Sequence, residues 1–273
     1  MTATVTERTV EMYPLKSRLL EVVNVRRITP RMVRVDLGGS DIAGLRSDNF
    51  ADHVKLWFPN PETGEHVLPV VEDDRCLNFR APGVIYRDYT VRRFDAKAGL
   101  LTIDFVVHDN GPGGRWAATA QPGDRLGVLG PRGTVYYPEA DHYVLLADET
   151  ALPAAARRIE ELPRDASVTA FFEVADAAEE QELDAPEGAE ITWLHRNGAA
   201  PGTTDLLLRA LEQTEFPKGR VFVWAGGEAD ALKPIRRLLK ERGLVRGRDF
   251  EVDGYWRRGV SNLDHHAADD DDE

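Results

Sequence analysis

HYVLLADETALPAAARRIEELPRDASVTAFFEV, residues 142–174, decides how the chain is organised. "HYVLLAD" is an apolar run of the length of a strand buried on both faces. "ETALPAAARRIEEL" has the composition and length of a helix, and "SVTAFFEV" reads as strand again. A strand–helix–strand unit of this kind predicts parallel strands joined by a crossover helix. The rhythm continues through "ITWLHR" (191–196), "GTTDLLLRALEQ" (202–213), "GRVFVWAG" (219–226), "EADALKPIRRLLKERG" (228–243) and "DFEVDGYW" (249–256). Residues 139–273 therefore read as an α/β domain whose ligands are expected beyond the carboxyl ends of its strands.

Upstream the pattern is different. "LLEVVNVRRIT", "RMVRVDL", "HVKLWF", "YTVRRF", "LTIDFVVH" and "DRLGVLG" are short strands separated by clusters of Pro, Gly, Asp and Asn. Six such strands predict a small antiparallel β-barrel over residues 1–138, with "WAATA" its one helical turn. The chain thus reads as two domains, a size that 273 residues accommodate comfortably.

Charge narrows the function classes. The formal net charge is −13, and the tail "DDDDE" accounts for five of those charges, leaving −8 on the rest. A surface built for nucleic acid carries a basic stripe instead. The tail, from about residue 262, is expected to be disordered. A single cysteine, Cys76, excludes an intramolecular disulfide, and no cysteine spacing suggests a metal centre. The N-terminus lacks a signal-peptide core and no apolar run is long enough to span a bilayer, so a cytoplasmic monomer without membrane insertion is expected.

Four stretches carry candidate chemistry. In "RDYTVRRFD" (87–95), Arg87, Tyr89 and Val91 share one face of a strand, while Asp88, Thr90 and Arg92 share the other. Arginine forks onto phosphate and a tyrosine ring stacks on a planar cofactor; the same residues also suit a solvated charged edge. "HDNGPGGRWAA" (108–118) enters a helical turn through a glycine-rich loop, where backbone N–H groups hold anions. It is neither a P-loop nor GxGxxG, and an ordinary tight turn reads the same way. In "LLADETALPAAARR" (145–158), Thr150 is a candidate N-cap at a helix start that could also face a nucleotide. In "VWAGGEADAL" (223–232), Gly226 and Gly227 permit close approach of a dinucleotide at a strand end.

Taken with "HVKLWFP", "PGDRLGVLGPRG", "WLHRNGAAPG" and "VDGYWRRG", these stretches resemble, in order from about residue 18 to 260, the siderophore-interacting protein family. These are ferric-siderophore reductases among the ferredoxin-reductase-like flavoproteins. The resemblance implies non-covalent FAD on the N-terminal domain and an NAD(P)H-binding-like C-terminal domain. It implies that Arg87, Asp88, Tyr89 and Thr90 hold the flavin and its phosphate. Val107 and His108 through Trp116, with Gly111, Gly113 and Gly114 among them, would wrap the pyrophosphate. Asp148, Thr150 and Ala151 would lie near the adenine, Trp256 against the cofactor, and Gly226, Gly227 and Glu228 at the nicotinamide. Where the family commonly has an Ala-Ser pair, this chain has Gly113-Gly114. Serine at 114 is therefore expected to be tolerated if the backbone there has negative φ.

The activity so implied is reduction of Fe(III) to Fe(II) in a ferric siderophore, with no conventional catalytic acid or base. Lys55, Arg246 and Arg257 are the candidate cations for an anionic ferric complex, each otherwise an ordinary surface charge. NADH, NADPH and reduced ferredoxin all remain open as electron donors. Alternatives are a flavin reductase, an electron-transfer flavoprotein serving a protein partner, and a non-catalytic siderophore carrier. His265 and His266 beside the Asp run read as disordered tail, and Cys76 as inert.

Overall fold

The computed structural model describes residues 7–108 and 111–262. The described residues form two compact units, one within Val10–Val135 and the other of residues 7–9 with 136–262. In chain order the strands of the first unit are β1 (Thr9–Met12), β2 (Ser17–Thr29), β3 (Met32–Gly38), β4 (His53–Trp57), β5 (Val71–Glu72) and β6 (Arg75–Cys76). Then come β7 (Tyr86–Thr90), β8 (Arg93–Asp95), β9 (Leu100–Val106), helix α1 (Pro112–Thr119), β10 (Arg125–Leu129) and β11 (Gly133–Tyr136). The main sheet is antiparallel in the order β7-β4-β10-β2-β3-β9-β8.

This corrects the expected six-stranded closed barrel. Seven strands form a sheet whose hydrogen-bonded ladder is open between β7 and β8. The extra strand arises because "YTVRRF" is not one strand but parts of two. At Val91 the backbone N–H donates to the Asp52 carbonyl beside β4, and at Arg92 it donates to the Thr102 carbonyl on β9. The chain thus changes partners within two residues, so the sheet's two edges meet there without pairing. Alternation fills the interior: Val54 and Leu56 of β4, Leu101, Ile103 and Phe105 of β9, and Leu126 and Val128 of β10 are all buried in one cluster.

The second unit holds β12 (His142–Asp148), α2 (Leu152–Glu161), β13 (Ser167–Val174), β14 (Glu190–His195), α3 (Leu206–Gln213), β15 (Val221–Glu228), α4 (Ala229–Glu241) and β16 (Phe250–Trp256). Its sheet is parallel throughout, in the order β14-β13-β12-β15-β16. Every residue of the central β12 is buried, as a parallel strand covered on both faces requires. Ala154, Ala155 and Ala156 are small enough to bring α2 against the sheet, and Leu232, Ile235 and Leu239 form the buried stripe of α4. Among the described residues no helix is long and apolar enough to cross a membrane, and no cluster of side chains is suited to a metal ion. His265, His266 and the acidic tail lie outside the described residues.

Candidate functional site

Strand β7 is an edge strand, and its register on β4 sorts its side chains. Val54 faces Tyr89, Leu56 faces Arg87, and Lys55 faces Asp88. Arg87 and Tyr89 therefore lie on the face of the buried core, whereas Asp88 lies on the other face with Lys55. Arg87 Nη1 donates to the Tyr86 carbonyl at 2.6 Å, and burial pulls its guanidinium below the usual arginine range. Burial likewise pushes the Tyr89 phenol well above the ordinary tyrosine value, so it stays a neutral hydroxyl. The ring sits 4.5 Å from Phe105 and 6.1 Å from Phe58, centroid to centroid. Trp116 of α1 completes the aromatic group, 5.5 Å from Phe105 and 5.9 Å from Phe58.

Helix α1 begins above this group. Its N-cap, Gly111, is extended (φ −132°, ψ 154°) and, being glycine, supplies no side-chain cap, and Pro112 occupies the first turn. Proline has no N–H to satisfy, so the amides of Gly113 and Gly114 are the first that such an entry presents. Both glycines are buried, and at each an added side chain would force a neighbour to shift. A Cβ on Gly113 would lie 1.9 Å from the Tyr89 hydroxyl oxygen. On Gly114 it would meet the Val106 carbonyl at 2.8 Å and the His108 backbone at 2.9 Å. Gly114 is not in the left-handed region, yet the expectation that serine is tolerated there fails, because the obstacle is backbone. His108 lies against Gly111, and Val107 is tied by its N–H to the Arg31 carbonyl. Asp109 and Asn110, within the stretch expected to wrap a pyrophosphate, lie outside the described residues. A glycine-rich helix entry resting on the Tyr89 ring, with a half-buried arginine two residues earlier on the same strand face, suits a phosphate joined to a planar group. FAD fits this donor set.

The three candidate substrate cations are not free charges. Lys55 Nζ is held by both carboxylate oxygens of Asp88, at 2.7 and 2.9 Å, and lies 5.6 Å from the Tyr86 ring centre. Arg246 Nε donates to Glu251 at 2.6 Å, and Arg257 Nε lies 3.6 Å from Asp230. Arg246 precedes β16 and Arg257 follows it, so seven residues of strand separate them, roughly 20 Å at strand rise. Only Arg257 is at the carboxyl end of the parallel sheet. Arg246 lies instead at the amino end, in a pocket with Arg8, Arg220 and Arg248. A single patch holding both arginines is excluded.

At the carboxyl edge of the parallel sheet the structure gathers Asp148, Thr150, Ala151, Gly227, Glu228 and Trp256 around one carboxylate. Asp148 accepts from Thr150 N and Oγ1, Ala151 N, Glu228 N and Trp256 Nε1 at 2.6–3.3 Å. Thr150 is not the N-cap expected: α2 starts one residue later without a side-chain cap, and Asp148 receives the amides of the entering turn. Burial pushes the Asp148 carboxyl up, against the pull of these donors. Gly226 and Gly227 are closed off by Ala151 and Asp148, which an added Cβ would meet at 2.7 and 2.8 Å. Glu228 caps α4 through Ala231 N at 2.7 Å and also accepts from Arg258 N at 3.0 Å.

Sequence reading missed three features of the two sites. Phe58 and Phe105 were legible only as core residues, although their alternation with Val54, Leu56 and Ile103 marked the face. Asp88 was assigned to the cofactor without its partner, Lys55. Arg196, in "WLHRNG", forms a buried ion pair with Glu149, and Glu173 lies 3.7 Å away.

Two family descriptions match this chain: the siderophore-interacting FAD-binding domain over residues 21–135, and the siderophore-interacting protein domain over residues 140–259. Ferric vibriobactin reductase ViuB of Vibrio cholerae is 34% identical, covering 93% of each chain. The NADPH-dependent ferric-chelate reductase of Escherichia coli is 37% identical over 83% of this chain and 87% of its own. Among solved structures, the siderophore-interacting protein SipS of Aeromonas hydrophila superposes with a TM-score of 0.77 at 28% identity, covering 93% of this chain and 97% of SipS. Solved ferredoxin reductases at 16% identity share the two-domain fold, a likeness of fold alone. The chain belongs to the siderophore-interacting protein family.

Proposed function

We propose that the protein is an FAD-dependent reductase of ferric siderophores, reducing Fe(III) to Fe(II) in the cytoplasm as a monomer. The observation that carries the reading is the glycine-rich Gly111–Gly114 helix entry resting on Tyr89, with Arg87 on the same strand face. Residues 1–138 act as the FAD-binding domain and residues 139–273 as the nicotinamide-binding one. The named activities of the ferric vibriobactin and ferric-chelate reductases support the substrate class, and the latter supports NADPH as donor.

Siderophores hold Fe(III), a hard cation, through oxygen ligands that bind Fe(II) far less tightly, so one electron releases the metal. Bound flavin supplies the conversion from two-electron to one-electron chemistry. The chain's own part is binding and orientation. Arg87 and the amides of Gly113 and Gly114 would receive the phosphates, Tyr89 would offer its ring to the flavin, Trp116 would belong to the pyrophosphate stretch, and Thr90 would offer a hydroxyl to the ring heteroatoms. Val107 and His108 border the entry, Trp256 is a candidate cofactor contact, and Gly226, Gly227 and Glu228 are the candidate nicotinamide residues, a role for which Ala151 and Asp148 would have to give way. Lys55 and Arg257 remain candidate contacts to the ferric complex.

One observation favours a second donor. The entries of α2 and α4 are already filled by Asp148 and Glu228, and reduced ferredoxin needs neither entry. Anaerobic titration of the purified yellow protein with NADPH, NADH and reduced ferredoxin, with a ferrous trap and a ferric siderophore present, tests the whole reading. Flavin that is bleached by a donor and reoxidised with ferrous colour is the expected result. Purified protein that lacks flavin and cannot be reconstituted with FAD overturns it. Bound flavin that no donor reduces leaves a carrier.

A further inference from the structure

Among the glycines of the first unit, the one with least room for a side chain is Gly113, which lies against the tip of Tyr89 and ties two elements together. Tyr89 is on edge strand β7, and Gly113 is the second residue of α1. A Cβ at 113 would stand 1.9 Å from the Tyr89 hydroxyl oxygen, 2.8 Å from its Cζ and 3.1 Å from Phe58 Cζ. The helix therefore rests on the ring tip at a position where an added side chain would force a neighbour to shift. Phe105 packs on the ring at 4.5 Å and Phe58 meets it edge-on at 6.1 Å, centroid to centroid, so a shift of the tip disturbs both neighbours.

We infer that Gly113 is a positioning residue: by seating α1 on the Tyr89 hydroxyl, it sets the height of the tyrosine ring relative to the helix entry. This rests on the FAD reading above, but it assigns Gly113 a different task from phosphate binding. One element carries the amides for the phosphates and the other carries the ring for the isoalloxazine. The spacing between those two parts of one ligand is then fixed by a single glycine contact. Gly114 is constrained differently, by the backbone of Val106 and His108.

The test is a mutant cycle on the purified holoprotein, read by FAD dissociation constant, visible circular dichroism of the bound flavin and melting temperature. Glycine within a helix is ordinarily improved by alanine. If nothing rested on Gly113, Gly113→Ala would raise the melting temperature and leave the flavin unaffected. The contact instead predicts FAD binding weaker by about tenfold or more, with an altered flavin dichroism, the scale expected for overpacking a filled site. Tyr89→Phe alone keeps the ring and changes binding much less. In the Gly113→Ala background it removes the nearest atom and recovers part of the loss, a coupling that independent sites do not show. Gly114→Ala, which meets backbone, gains nothing from Tyr89→Phe. If Gly113→Ala does not fold, the double variant decides: recovery of folded, FAD-binding protein supports the contact. Failure to recover, or unchanged FAD affinity and dichroism in Gly113→Ala, overturns it. Wild-type protein that binds no FAD at all would sink the functional reading itself.

Discussion

The entries of α2 and α4 in the parallel unit are treated differently from that of α1 in the antiparallel unit, while α3, with N-cap Asp205, resembles α1 in having no side-chain cap. In the antiparallel unit, α1 opens on Gly111, Pro112, Gly113 and Gly114 with no side-chain cap. In the parallel unit, the turn into α2 delivers its amides to Asp148, and α4 delivers one to Glu228. An N-terminal turn leaves amides unsatisfied, and the options are water, a side chain or a ligand. At α2 and α4 the parallel unit uses its own carboxylates, whereas the N-cap residue of α1, a glycine, has no side chain to offer. Gly-rich loops at strand ends are thus poor guides by themselves: Gly226-Gly227 is filled by Ala151 and Asp148, while Gly113-Gly114 follows a glycine N-cap.

The largest effect that would test this contrast is at Asp148. Its carboxylate joins the turn into α2, the end of β15 and the indole of Trp256 on β16. Asp148→Ala leaves these buried donors without an acceptor, at an expected cost of about 3–5 kcal/mol, within the range for removing one partner of a buried charged interaction. Urea denaturation at neutral pH measures it. A loss below about 1 kcal/mol would mean that water or Glu228 replaces the carboxylate, and the filled entry would no longer distinguish α2 from α1.

Next comes Gly114. Serine there would place its Cβ against three backbone atoms, none of which can rotate away. An overpacking cost of about 1–3 kcal/mol is expected, with weaker FAD binding, because α1 must lift from the Val106–His108 backbone. Calorimetry together with FAD titration checks both. A serine variant that binds FAD as tightly as wild type would show that the α1 entry is not held by that backbone.

These sites also show what one sequence makes legible. The βαβ rhythm of residues 142–174 follows from local periodicity, and β12, α2 and β13 fall where that periodicity places them. The division of "YTVRRF" between β7 and β8 does not, because it is set by which distant strand each N–H reaches. The same holds for the pairing of Lys55 with Asp88. Each residue is legible as a charge on a strand, but only the β4–β7 register puts them opposite one another. The Gly113-Gly114 pair was legible as a flexible turn, and its steric role depends on a tyrosine 24 positions earlier in the chain.

That Lys55–Asp88 pair extends the contrast to side-chain cations. Even in the unit whose helix entry has a glycine N-cap, this acidic chain neutralises its own lysine. Asp88→Asn should release the ammonium and lower the apparent KM for an anionic ferric complex by about two- to fivefold, the scale of one partly exposed charge pair. Its salt dependence should steepen, while a cationic ferric complex gains nothing. Lys55→Ala should do the reverse, since it removes the cation and keeps the Asp88 carboxylate. Steady-state kinetics at two ionic strengths read both variants, and equal changes for complexes of either charge would remove Lys55 from substrate recognition.

The smallest effect separates the two ends of β12. Asp148 closes the carboxyl end with a charge, whereas His142 closes the amino end with a ring bonded only to hydroxyls. Ser167 Oγ lies 2.7 Å from Nδ1 and Thr169 Oγ1 lies 3.2 Å from Nε2. Burial pulls the His142 pKa below its ordinary value, and the opposing influence of Glu190 does not cancel it. The folded state therefore prefers the neutral ring, while the unfolded chain takes up a proton near pH 6.5. Between the two pKa values the unfolded state binds more protons, so stability rises with pH across that window. His142 thus contributes its full stability above about pH 6.5, and the contribution declines as pH falls toward the folded-state value. His142→Asn should lower stability at pH 8 and flatten this part of the profile, so the two proteins converge on the acid side. Urea midpoints measured from pH 8 down to pH 5 would show it. Parallel profiles for the two proteins would mean that the hydroxyls accommodate the charged ring equally well, and the amino end of β12 would then be as tolerant of charge as the carboxyl end.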